Sequence, residues 1–238
     1  MSAPSRILVV AAHPDDEILG CGATAARLVS EGHDVRFAIL GEGLTSRHAR
    51  RTAAKAAQLA ALRRHARAAA AKVGVERLTL HNFPDNRLDA VALLEVVQVI
   101  ESLVRDAQPE IIYTHHGGDL NVDHSIIHRA VLTATRPGSG PLVREIYAFE
   151  VPSSTEWAFQ RLELPFRPNV FVDVSRTLEA KIGAMECYKS EARKFPHPRS
   201  PEALRAIARR WGSVAGCEAA EAFELVRLIR PARRRKVE

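Results

Sequence analysis

Apolar residues follow two rhythms along this chain. Short runs rich in β-branched residues alternate with longer stretches in which apolar positions recur every three or four residues. RILVVAA (6–12), DVRFAIL (34–40), ERLTLHNF (76–83) and PEIIYTHH (109–116) are of the first kind and predict four strands. Between and after them, residues 17–31, 49–73, 89–107 and 124–136 have helical spacing. In the second of these segments Leu59, Leu62, Ala66, Ala69 and Val73 share a face, and Gly74 supplies the stop. Strand and helix alternating at this spacing predict right-handed βαβ units. The expected fold is therefore α/β: a Rossmann-like, mostly parallel sheet with helices on both faces.

The second half is less regular. REIYAFEV (144–151) and NVFVDVS (169–175) predict two more strands, and residues 177–191 and 201–226 two more helices. No repeat and no linker divides the chain. Residues 1–228 are expected to form a single α/β domain with a C-terminal strand/helix elaboration. The basic tail, 229–238, is expected to be disordered.

A chain of 238 residues can bury a real core, and 46% hydrophobic with 26% charged residues is ordinary for a globular protein. No apolar run approaches a membrane span. MSAPSR passes straight into the first strand, so no secretory signal is expected. Three cysteines, Cys21, Cys187 and Cys217, are far apart and read as reduced thiols, which predicts a cytoplasmic protein. The net charge of +6 is local: residues 47–72 hold eight Arg or Lys without an acid, and 230–236 five more. The other 21 basic residues face 28 acidic ones. A nucleic-acid or anionic-surface binder using the basic helix 47–72 and the tail is one alternative. With aromatics at 5% and none interleaved with the basic residues, no nucleic-acid partner is expected.

Ligand sites in open α/β sheets lie beyond the carboxyl ends of the parallel strands. Three polar segments fall there: HPDDE (13–17), PDNR (84–87) and HHGGDLNVDH (115–124). His13 offers a nitrogen and Asp16 an oxygen, both suited to a divalent transition ion. Asp15 and Asp16, as neighbours on a loop, are expected to point different ways. A third ligand would come from His115, His116, Asp119, Asp123, His124 or His128, and spacing alone does not choose among them. Acidic residues at a helix start also favour its dipole, but that accounts for neither His13 nor the second His/Asp-rich loop. GCGATA (20–25) lacks the spacing of a dinucleotide fingerprint, and Cys21 and Gly22 suit close helix–sheet packing. His33, His48 and His65 read as surface residues, and His81 as a weak candidate.

AHPDDE after the first strand, with a later Asp-His at a helix start, resembles the PIG-L/LmbE-like family of zinc-dependent N-deacetylases. FPDNRLD (83–89), residues 114–137, YKSEARKFPHPRS (188–200) and AEAFELVR (220–227) extend the resemblance over most of the chain. It implies removal of an acetyl group from an N-acetylated sugar or glycoconjugate, with Zn2+ or another divalent transition metal held by His13, Asp16 and His124. Asp15 would be the general base. Asn121 stands where the family usually has a histidine. It can donate to an oxyanion but cannot shuttle a proton, so the leaving amine would take its proton from Asp15, His116, His128 or His197. Expected substrate contacts are Asp85 with sugar hydroxyls, Arg47 with an acidic group, and His116 and Asp123, with Arg87 and Arg199 as alternatives to Arg47. A same-fold amide or ester hydrolase or a transferase acting on a natural product is the alternative function. Assembly as a homo-oligomer is compatible with the sequence.

Overall fold

The computed structural model describes residues 4–47, 56–138, 140–161 and 164–230. In chain order the elements are β1 (Arg6–Ala11), α1 (Asp16–Ser30), β2 (Asp34–Gly41), α2 (Ala56–Lys72), β3 (Arg77–Phe83), α3 (Leu93–Ala107), β4 (Ile111–His115) and α4 (Val122–Ala134). There follow β5 (Glu145–Phe149), β6 (Val170–Asp173), α5 (Leu178–Cys187), α6 (Pro201–Ala215) and β7 (Ala220–Leu228). They build one sheet in the order β3-β2-β1-β4-β5-β7-β6. The first five strands are parallel, and β7 runs antiparallel to both β5 and β6. The expected mostly parallel α/β sheet is therefore present.

The alternation of side chains along β1 divides the core in two. Ile7, Val9 and Ala11 pack with Leu19 of α1, Leu62 of α2 and Ile182 of α5. Leu8, Val10 and Ala12 pack on the other face with Ile100 of α3 and Ile127 of α4. Because both faces are covered, β1 is apolar at every position from Ile7 on rather than at every second one. Each large aliphatic side chain buried this way contributes about 1.5–3 kcal/mol.

The C-terminal part corrects the sequence reading. The helix expected over 201–226 stops at Ala215, where Gly216 takes a left-handed φ of 76° and its N–H bonds Gly212 O. Residues 220–228 then form β7, which fills the gap between β5 and β6. Their apolar spacing suits either a strand or a helix face, and the open strand edges decided it. The helices expected to begin at 89 and 124 begin at Leu93 and Val122, residues 88–90 being a single 3-10 turn. The helix expected over 177–191 covers only Leu178–Cys187. The helix expected over 49–73 is described from Ala56 onward; residues 48–55 and 231–238, with most of the basic tail, lie outside the described residues. No helix among the described residues is long and apolar enough to cross a membrane.

Helix α1 is broken at Cys21 (φ −147°, ψ 25°). Gly20 lets this segment lie on β5, since a Cβ there would collide with the Phe149 ring. The break leaves backbone groups unpaired, and a buried ion pair satisfies them. Glu221 of β7 accepts from the N–H of Ala23 (3.3 Å) and Thr24 (2.6 Å), and Lys181 of α5 donates to Leu19 O (2.7 Å) and to Glu221 (2.6 Å). Glu221→Ala strands the Lys181 ammonium and two backbone donors. Urea unfolding of that variant should give a stability about 3–5 kcal/mol below wild type, and the double variant Lys181→Met/Glu221→Ala should recover part of the loss.

Candidate active site

The strand order reverses between β1 and β4, so the loops leaving these two neighbours diverge to opposite sides and open a crevice at their carboxyl ends. The HPDDE segment leaves β1 there, and the 116–121 loop leaves β4. Loops after β2 and β3 add Ser46 and Asp85, and the cleft they enclose has a volume of about 180 Å3. A larger groove of about 860 Å3 lies between edge strand β3 and α3, away from these loops.

Asp15 precedes α1 with φ 117° and ψ −27°, a conformation rare for any residue but glycine. Such a backbone costs about 1–3 kcal/mol and persists only where its surroundings hold it. It separates two adjacent carboxylates: Asp16 turns toward α4, while Asp15 meets Arg199.

Asp16 Oδ2 accepts from the His13 N–H at 2.8 Å and lies 3.2 Å from both His13 Nδ1 and His124 Nε2. The three residues each offer a ligand atom within 4.8 Å of the others. Both ring nitrogens of His124 are buried and face carboxylate oxygens at 3.2 Å without well-aligned hydrogen bonds, a geometry that an ion between the groups would complete. Burial pulls His124 down, but Asp16 and Asp119 outweigh it and hold it up at about 9. Two ring nitrogens and a carboxylate oxygen, gathered where carboxylates cluster, are a donor set that fits a divalent metal. His115, another candidate, has its Nε2 occupied by the Ala12 N–H (2.8 Å) and stacks on His124 at 3.9 Å.

Each of the two histidines of this trio has a carboxylate at its other ring nitrogen. His13 Nε2 lies 2.9 Å from Asp123 Oδ2, and His124 Nδ1 lies 3.2 Å from Asp119 Oδ1. Carboxylates so placed fix ring orientation and tautomer. Asp119 is itself held by the hydroxyls of Ser154 and Thr155 and by the Asn121 N–H. Burial raises its pKa, but His124 and the two hydroxyls outweigh that and hold it at about 2. Asp123 also accepts from the N–H of Asn86 (2.7 Å) and Leu88 (2.9 Å), which anchors the loop after β3.

Asp15 is 2% exposed. Its Oδ2 accepts from Arg199 Nη1 at 2.6 Å, and Arg199 is steadied by Ser153 Oγ (2.8 Å) and Glu191 Oε2 (3.4 Å). Burial pushes the Asp15 carboxyl up, Arg199 pulls against it, and the balance stands at about 7. Oδ1 receives no hydrogen bond from the described residues.

Of the residues expected from sequence, His13, Asp15, Asp16, Asp85, Asn121 and His124 line the cleft together. Asp85 accepts from the N–H and hydroxyl of Ser46 at 3.0 and 2.6 Å. Asn121 caps α4, its Oδ1 accepting from the Asp123 N–H (2.9 Å) and its Nδ2 donating to Asn86 (2.7 Å). Asp123 and His116, expected to touch substrate, are placed otherwise. Asp123 is 1% exposed behind His13 with both oxygens occupied. His116 is turned to Glu224 Oε2 and Leu164 O, each at 2.7 Å, outside the cleft lining. His128 bonds His115 O and His197 packs on Trp157, both likewise outside the lining. Arg87 is exposed and also outside it, and the side chain of Arg47 lies outside what is described. Sequence reading missed Ser153, Ser154 and Glu191, which carry no local signal, and gave Arg199 only as an alternative sugar contact.

The chain is similar to proteins of one known family. Residues 8–135 match the family described as PIG-L: GlcNAc-PI de-N-acetylase, and the chain belongs to that family. It is 29% identical over 196 residues to the uncharacterized deacetylase YaiS of Escherichia coli (strain K12), covering 77% of this chain and 90% of the relative. It is 25% identical over 234 residues to the diacetylchitobiose deacetylase of Thermococcus kodakarensis, covering 93% of this chain and 83% of that one. Among solved structures, the conserved protein TT1542 of Thermus thermophilus superposes with a TM-score of 0.75 at 23% identity, over 98% of this chain and 99% of that one.

The cap at Asn121 can be tested without reference to activity. Asn121→Ala should lower stability by about 0.5–2 kcal/mol in thermal or urea unfolding, as expected for loss of a helix N-cap, and Asn121→Asp should retain most of it.

Proposed function

We propose that the chain is a zinc-dependent hydrolase that removes the acetyl group from an N-acetylated amino sugar, free or in a glycoconjugate. The observation that carries this reading is the trio His13, Asp16 and His124, with ligand atoms within 4.8 Å of one another, opening on the cleft that Asp15 lines. The family, and a relative named for deacetylating diacetylchitobiose, support it. Two ring nitrogens and one carboxylate oxygen are a donor set suited to zinc, and three protein donors leave a coordination position open. When bound, the ion supplies Lewis acidity, lowering the pKa of water towards ~7 and polarising the amide carbonyl.

The protein's own groups do the rest. Asp15 takes the proton from water as it attacks the acetyl carbon. Arg199 anchors Oδ2, and Oδ1 is left to receive that proton. The second amide hydrogen of Asn121 Nδ2, beyond the one given to Asn86, is available to the tetrahedral oxyanion. As the C–N bond breaks, Asp15 returns its proton to the departing amine. Apart from His13 and His124, no histidine among the described residues lines the cleft, so Asp15 serves in both steps. Ser46, Asp85 and Asn86 form the wall that would meet sugar hydroxyls.

Asp15→Asn should keep its zinc while acetate release falls by about 10²–10⁴-fold; turnover at the wild-type rate would reject the base assignment. His13→Ala and His124→Ala should instead lose the metal, read as zinc per chain after exhaustive dialysis. A screen of acetate release across N-acetyl sugars, nucleotide sugars and glycolipid mimics, run beside natural-product amides and esters, decides the substrate class. Activity confined to the second group would favour the alternative chemistry.

A further inference from the structure

The backbone of Asp15 needs something to hold it, and the structure has a dedicated pair for the purpose. The Asp15 N–H donates to Glu17 Oε2 at 3.1 Å. The other oxygen of Glu17 accepts from the Tyr188 hydroxyl at 2.5 Å. Both side chains are 0% exposed, and neither faces the cleft. Glu17 has no cationic partner within ion-pair distance among the described residues. A buried carboxyl without a cation does not improve stability over an apolar residue of similar size. What it does here is fix, through one oxygen, the amide of the residue with φ 117°, while Tyr188 fixes the other.

We propose that Glu17 and Tyr188 are positioning residues, a buried pair that holds the Asp15 backbone in its left-handed turn and so aims the Asp15 carboxylate into the cleft. This rests on the reading of Asp15 as the base. Asp15 is then gripped from both ends, at its amide by Glu17 and at its carboxylate by Arg199. Tyr188 reaches Glu17 from the end of α5, so a residue 171 positions along the chain sets the geometry of the first loop. Releasing the amide lets the backbone relax to a negative φ and swings the carboxylate away from Arg199. A displacement on that scale costs turnover without changing what binds the sugar.

The test uses the full chain loaded with zinc and N,N′-diacetylchitobiose as substrate, scored as acetate. Tyr188→Phe should retain its zinc and its KM and lose about 10–100-fold in kcat. Glu17→Ala should do the same. Glu17→Gln should be largely rescued, because its carbonyl still accepts from the Asp15 N–H and its amide can donate to the Tyr188 oxygen. A crystal structure of Tyr188→Phe should find Asp15 at negative φ. In an Asp15→Asn background, adding Tyr188→Phe should cost nothing further in kcat. A purely structural role predicts otherwise: a lower Tm with kcat unchanged, or a loss that adds in full to that of Asp15→Asn, and either result overturns the proposal. Should Tyr188→Phe fail to fold, equal kcat in Glu17→Gln and Glu17→Ala would overturn it. The two readings fail separately. Wild-type turnover by Asp15→Asn rejects Asp15 as base, whereas an inactive Asp15→Asn beside a Tyr188→Phe of normal kcat rejects only the positioning pair.

Discussion

One oxygen atom joins the two loops on which this site depends. Asp16 Oδ2 takes the backbone N–H of His13 and sits 3.2 Å from a ring nitrogen of both His13 and His124, so the loop after β1 and the start of α4 meet on it. Desolvating a carboxylate costs several kcal/mol unless opposite charge and hydrogen bonds replace the lost water. Asp15, Asp16, Asp119 and Asp123 are all at most 3% exposed, and crowding four such groups raises the cost further. The compensation is shared: Asp15 has Arg199, Asp16 both histidines, Asp119 His124 and two hydroxyls, and Asp123 His13 and two backbone N–H groups. The arrangement is stable only as a whole, which is why the loops from β1, β3, β4 and β5 must all be in place together.

The division of labour within the chain follows from this. The segment that matches the family, residues 8–135, contains His13, Asp16 and His124 with the carboxylates that orient their rings. What touches Asp15 comes largely from later in the chain: Arg199, steadied by Ser153 and Glu191, and Tyr188 acting through Glu17. The C-terminal strands and helices thus complete the site in addition to extending the sheet. Glu221 and Lys181 connect the same two halves beneath it, where they close the break in α1.

Strands β1, β2 and β4 were legible because burial on both faces leaves an apolar run, and the helix before edge strand β3 because Gly74 ends it. The strand at 220–228 was not. Its residues pack on one side against α6 and pair on both edges, and a nine-residue segment with four buried positions at one end reads as the tail of a helix until its neighbours are known. Within the site, His13, Asp15 and Asp16 were readable from five adjacent letters. His124 was one of six candidates that spacing could not separate. The discriminating facts are contacts: His115 is occupied by the Ala12 N–H, His116 by Glu224, and His128 by His115 O, which leaves His124 as the histidine whose Nε2 faces Asp16.

By itself, then, the sequence determined the five parallel strands, the edge on which polar loops gather, and a motif whose crowded acids require a cation. These are local properties, set by periodicity and by the bonding capacity of each side chain. Tertiary structure decided which histidine faces Asp16, that Asp123 and Asp119 stand behind the rings, and that Arg199 and Tyr188 brace Asp15 from far along the chain. Such pairings depend on distances between loops that are remote in sequence, and no local preference encodes them.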